Sequence, residues 1–194
     1  MTSNGAGFQP VERTRVELYP AGVQPDRWQP GDFLLTRGDS VTAALIRFGQ
    51  RLRIHGEDRR YTCWNHAALV VGADGLLVEA LGAGVQVSPA SKYHGRAYHL
   101  VRIRADEQDR REVAEFGQWA VQQHCRYGFA TIASVALTLL TGAKFSFFIE
   151  GQLICSGLVA RAQERTGVLF SRDPAHMSPA DLAKYYRVEE ALVR

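Results

Sequence analysis

One stretch constrains the fold more than any other. Asn65-His66-Ala67-Ala68-Leu69-Val70-Val71 is a nearly continuous apolar run, and Leu76-Leu77-Val78-Glu79-Ala80-Leu81 is a second; Ala73-Asp74-Gly75 stands between them as a turn. Two such runs joined by turn residues predict a hairpin. Two polar side chains interrupt it. His66 begins the first strand, and Glu79 lies mid-strand between Val78 and Ala80. A buried carboxylate without a cation or several donors is costly. Hairpin parity supplies a partner. A two-residue loop at Gly72-Ala73 sets Glu79 directly opposite His66, and a four-residue loop over 72–75 makes them diagonal neighbours on one face, at roughly 7–8 Å between backbones. A Glu facing solvent from an edge strand and a His satisfied by a backbone carbonyl are the plainer alternatives.

The remaining pattern is that of an α+β chain. Residues 1–29 carry Gly, Pro and scattered charge with little period and are expected to form an N-terminal extension to a single domain over 30–194. Pro30-Gly31-Asp32 is a turn signal before a short strand, Phe33-Leu34-Leu35-Thr36. Asp39-Ser40 offers an N-cap, and Val41, Ala44, Leu45, Phe48 and Leu52 then recur at helical spacing. Residues 54–62 form a charged loop. Val85-Gln86-Val87 and Tyr98 to Ile103 alternate like further strands. From Asp106 the period turns helical, marked by Val113, Phe116, Ala120 and Val121. A buried helix is expected within 129–142, another helix from Cys155 to near Gly167, and a last one at Ser178-Pro179, with Pro at the first helical position. Strands early and helices late argue for α+β rather than α/β.

Composition excludes several function classes. With 46% hydrophobic and 22% charged residues, the chain can bury a core without disulfides or a structural metal. A net charge of +3 is too weak to imply nucleic acid; the densest basic patch is Arg51, Arg53, Arg59 and Arg60. Three cysteines, Cys63, Cys125 and Cys155, with no Cys-x-x-Cys pair, suit reduced thiols better than a disulfide framework or zinc site. No metal and no cofactor is expected. The polar N-terminus lacks an apolar leader, which points to a cytoplasmic protein unless phage or a specialised secretion route delivers it. Phe129 to Ala143 is about fifteen residues without a charge before Lys144, short of the roughly 20 needed to span a bilayer. A core helix is favoured there over membrane contact.

Cys155 sits in Leu153-Ile154-Cys155-Ser156-Gly157-Leu158, at a predicted helix start. The helix dipole and free N–H groups there favour thiolate and are placed to hold an oxyanion. Ser156 and Gly157 are small enough to admit a substrate. Taken alone, Cys155 also fits a core position. Together with His66 and Glu79 it forms a nucleophile, a base and an orienting carboxylate. Tyr127 is a candidate for the cleft wall. His55, His94, His99, His124 and His176 fit structural or surface roles.

These segments, in order, are Pro30-Gly31-Asp32-Phe33, Asn65 to Gly72, Val78-Glu79-Ala80, Tyr127-Gly128-Phe129, Cys155-Ser156-Gly157-Leu158-Val159 and Ser178-Pro179-Ala180-Asp181-Leu182. The set resembles the circularly permuted NlpC/P60 (YiiX/YebB-like) group of papain-like cysteine peptidases over roughly residues 30–186. The His–Glu–Cys order is the permuted one, also seen in lecithin:retinol acyltransferase-like enzymes. The resemblance implies Cys155 as nucleophile, His66 as general base, Glu79 as the orienting residue, and Tyr127 and Ser156 lining the substrate site. It implies a hydrolase acting on a peptide or acylated small substrate, with an amide or isopeptide bond, such as one in a peptidoglycan peptide, as the first reading. A lipid acyl hydrolase or acyltransferase is the second, although Glu79 stands where those relatives tend to carry another His. A binding domain that keeps the fold without catalysis is the third.

Overall fold

A computed structural model describes residues 14–81, 84–123, 126–127, 152–153 and 155–189. It is an α+β structure built on one antiparallel sheet. The strands are β1 (Arg15–Tyr19), β2 (Phe33–Thr36), β3 (His66–Val70), β4 (Leu76–Leu81), β5 (Gly84–Pro89) and β6 (Tyr98–Arg102), in the order β1-β6-β2-β3-β4-β5. Two short segments, β7 (Arg126–Tyr127) and β8 (Gln152–Leu153), pair in parallel apart from it. The described α-helices are α1 (Val41–Arg53), α2 (Glu107–Gln122), α3 (Cys155–Gln163) and α4 (Pro179–Tyr185). The helix expected within 129–142 lies outside the described residues.

The sheet is apolar on both faces, as the unbroken hydrophobic runs require. One face carries Phe33, Leu35, Leu69, Val78, Ala80 and Val101 against α2, α3 and α4; the other carries Leu34, Ala68, Val70, Leu77 and Leu100 under Trp28, Tyr93 and Tyr98. Residues 15–19, expected within an N-terminal extension, form the edge strand beside β6, with Val16 opposite Val101. Where a charged loop was expected over 54–62, Gly56–Cys63 coils as 3-10 helix and buries Tyr61, Thr62 and Cys63.

Local chemistry accounts for the boundaries. Ser40 caps α1 by accepting from Ala43 N–H, Asp106 caps α2 through Asp109 N–H, and Ser178 and Asp181 form a reciprocal capping box at α4. The turn before β2 needs glycine at position 31. Its φ is +92°, and a Cβ there would lie 2.7 Å from Ile103 Cδ1. The neighbouring Asp32 is fully buried, accepts from Ile103 N–H and pairs with Arg102 and Arg110. Gly117 lets α2 approach the sheet; a Cβ there would stand 2.6 Å from Val71 Cγ1.

The helix α1 is turned inside out. Its buried positions are Ala43 and Gln50. Gln50 donates from Nε2 to the carbonyls of Thr62 and Trp64 and accepts Ala180 N–H at 2.9 Å, so this amide joins three segments. The apolar residues that gave the helix its period, Val41, Leu45, Phe48 and Leu52, face solvent at 79, 48, 57 and 44% exposure. An apolar stripe ordinarily faces the core.

Candidate active site

The β3–β4 hairpin closes with the four-residue loop: Leu69 pairs with Val78, Val70 with Leu77, and Val71 N–H donates to Leu76 O. By that register His66 stands across from Leu81, and Glu79 is its diagonal neighbour. Their side chains meet, with His66 Nε2 2.7 Å from Glu79 Oε2. The strand places His66 at its solvent end, 18% exposed at the side chain, and holds Glu79 with none of its surface exposed.

Glu79 is satisfied from four sides. Lys92 Nζ donates to Oε1 at 2.7 Å, Tyr93 OH to Oε2 at 2.5 Å, and the side chain of Ser88 adds a further hydrogen bond. Burial works against its charge, but these donors, His66 foremost, hold its carboxyl well below the usual range. Burial and the adjacent carboxylate push Tyr93 upward, so it remains a phenol and a donor. The rings of His66 and Tyr93 stack with centroids 6.4 Å apart.

Cys155 is the first residue of α3 and is 2% exposed. Its thiol hydrogen-bonds His66 and accepts from the backbone N–H groups of Ala67 and Ser156. With Nε2 engaged by Glu79, Nδ1 is the ring nitrogen left for the thiol. Burial opposes a charged sulfur, yet the imidazole and the two N–H donors carry the Cys155 pKa below its ordinary value. Burial likewise opposes a charged His66, and the Cys155 sulfur and Glu79 overcome it, raising the ring from 6.5 to about 9. Both shifts favour a thiolate beside an imidazolium. These two shifts are one coupled event.

No family model matches this chain, and no curated protein matches it.

The structure thus brings together Cys155, His66 and Glu79, as the sequence led us to expect. It treats the two expected lining residues differently. Ser156 is fully buried, and its hydroxyl donates to Met177 O at 2.6 Å; only its N–H turns to the thiol, so the side chain tethers α3 rather than meeting a substrate. The side chain of Tyr127 lies outside the described residues. Sequence reasoning missed Lys92, Tyr93 and Ser88. Ser88 was reachable, since β4–β5 pairing sets it opposite Leu77, on Glu79's face. Lys92 and Tyr93 come from a 3-10 turn, Ala90–Tyr93, with no periodic signal.

A cleft of about 320 Å³ opens at His66. Its walls include Thr36, Asn65, Lys92, Tyr93 and Arg96, with Thr42, Ala43 and Ile46 of α1 on one flank. Asn65 braces its rim by exchanging two hydrogen bonds with the backbone of Gly38. Cys63 is also buried, and its Sγ donates to Arg60 O at 3.4 Å. Among the described residues no group of three or more His, Cys, Asp or Glu side chains is placed to hold a metal ion.

Proposed function

We propose that this chain is a cysteine hydrolase that cleaves an amide or isopeptide bond through an acyl-enzyme on Cys155. The observation that carries the reading is the continuous line of hydrogen bonds from Cys155 to His66 to a fully buried Glu79. A core cysteine needs neither a protonated imidazole nor a carboxylate behind it. That line is the constellation of nucleophile, base and orienting group used for acyl transfer on unrelated folds.

In this mechanism the Cys155 thiolate attacks the carbonyl carbon and forms a C–S bond. The negative charge moves to the carbonyl oxygen, near the N-terminal end of α3, where free N–H groups favour an anion. Collapse breaks the C–N bond as His66 gives its proton to the departing amine. The neutral ring then takes a proton from water, hydroxide equivalent adds to the thioester, and breakage of C–S releases the acid and restores the thiolate–imidazolium pair. Glu79 keeps Nε2–H engaged throughout, which aims Nδ1 at the sulfur and favours the charged ring. The α+β arrangement, with a cysteine opening a helix that packs on an antiparallel sheet and His–Glu preceding Cys, supports a papain-like fold of the permuted NlpC/P60 type.

Mass spectrometry of the protein after incubation with activated acyl esters and with muropeptides tests the reading. The expected result is one acyl adduct, localised to Cys155 and absent from Cys155→Ala. Absence of any adduct on wild type, or an adduct that survives the substitution, would refute it.

A further inference from the structure

The exposed face of α1 has no role in the site just described, and its chemistry is unusual for a surface helix. At 100° per residue Val41, Leu45, Phe48 and Leu52 fall on one narrow stripe, directly opposite the buried Gln50. The helix contains no Asp or Glu. Its charges are Arg47, Arg51 and Arg53, with Arg59 and Arg60 following in the next turn of chain. Arg47 and Arg51 lie on one flank of the stripe and Arg53 on the other. Arg53 is paired with Asp181 and Ser178, and Arg47 with Gly38 O, whereas Arg51 and Arg59 have no acidic partner among the described residues.

We propose that α1 is an interfacial helix that seats this protein on an anionic lipid surface. Val41, Leu45, Phe48 and Leu52 would enter the boundary between headgroups and acyl chains, and the flanking arginines would meet lipid phosphates. An apolar stripe edged by basic residues on an otherwise acid-free helix is the pattern of helices that lie in a membrane interface. Charge decides between occupants. A second copy packed stripe to stripe would offer Arg51 no acidic partner, since the helix has no Asp or Glu, whereas an anionic bilayer neutralises it. The position of the helix gives the contact a consequence. Thr42, Ala43 and Ile46, on the flank of α1, form one wall of the cleft at His66. Docking therefore holds the cleft within about one helix diameter, ~10 Å, of the lipid surface. This inference rests on the helix alone and stands whether or not Cys155 turns over a substrate.

Vesicle co-flotation of the full chain tests it. Wild type should float with phosphatidylcholine vesicles containing phosphatidylglycerol, should not float with pure phosphatidylcholine, and should release as salt is raised. Phe48→Ser combined with Leu52→Ser should weaken partitioning about tenfold or more, given the transfer energy of two large apolar side chains. Arg51→Glu should weaken binding only to the anionic vesicles. All three positions are exposed, so thermal unfolding should be unchanged and serves as the folding control. Three results would overturn the proposal. The first is no flotation of wild type at low salt. The second is equal flotation of wild type and the Phe48/Leu52 variant. The third is a wild-type dimer that these substitutions dissociate while lipid binding stays absent.

Discussion

Replacing Glu79 with Gln keeps the shape of the side chain and removes its charge, which isolates what the buried carboxylate does. In the native site it accepts from His66 at 2.7 Å, Lys92 at 2.7 Å, Tyr93 at 2.5 Å and Ser88. A carboxamide has one acceptor oxygen and an NH2 that confronts donors, so it cannot serve all four. The effect reaches the sulfur through the ring. His66 is lifted from 6.5 to about 9, and Glu79 is the second contributor after Cys155 itself. Each pKa unit is ~1.4 kcal/mol, or tenfold in the protonation equilibrium. Each unit by which loss of the carboxylate lowers His66 costs the thiolate–imidazolium pair about tenfold in population. The sign follows directly. A less basic imidazole is a weaker cation beside the thiol, so the apparent pKa of Cys155 rises. The assay is the ultraviolet absorbance of the thiolate against pH, taken as the difference from Cys155→Ala, which does not depend on access of a reagent to a buried sulfur. The Glu79→Gln midpoint should move up. An unchanged midpoint, or one that moves down, would refute the claim that Glu79 acts on the nucleophile through His66.

Three further outcomes follow from the same geometry and from the core. Acyl transfer should fall as pH rises through about 9, where His66 loses the proton it gives to the leaving group. The folded-state value lies above the free one of 6.5, so the ring's stabilising contribution is full below about 6.5 and is lost as pH rises through about 9. Cys155, lowered in the same coupled event, contributes with the opposite sign over that window. The unfolding temperature of wild type should therefore change little between pH 6.5 and about 9, and a steep decline there would refute the ion pair. Gln50→Leu removes bonds to Thr62 O, Trp64 O and Ala180 N–H together. Urea unfolding should show a loss of about 2–4 kcal/mol, from backbone groups left without partners; a loss below about 0.5 kcal/mol would mean that water replaces the amide freely.

Much of this was legible in the chain because local rules and long-range needs coincided. The Pro30-Gly31-Asp32 turn, the caps at Ser40 and Ser178, and the apolar runs of β3 and β4 were all readable from short windows. The meeting of His66 with Glu79 followed from period-two parity, which both loop lengths satisfied. What stayed hidden depended on contacts without period. Arg15–Tyr19 alternates polar and apolar over only five residues, within a stretch broken by Gly and Pro, and it is ordered by pairing with β6. The segment 56–63 carries charge on its surface, yet its last residues fill the core. Lys92 and Tyr93 reach Glu79 only after β5 folds back. The outward stripe of α1 was hidden for the opposite reason: its spacing was plain, but spacing does not say which side faces the protein. That was decided by the three backbone partners of Gln50.

The helix that begins with Cys155 is tied at both ends. Ser156 Oγ holds Met177 O at its start, and Gln163 Nε2 holds Gly31 O at 2.7 Å at its finish, with Leu158, Val159 and Ala162 fully buried between. Such a helix has no cheap way to fray. Partial opening would have to break an anchor to one of two distant parts of the chain, so its excursions belong with those of the whole domain. The sulfur is then held in register with His66 by the cooperativity of the fold itself, and the two lose alignment only when the domain as a whole opens.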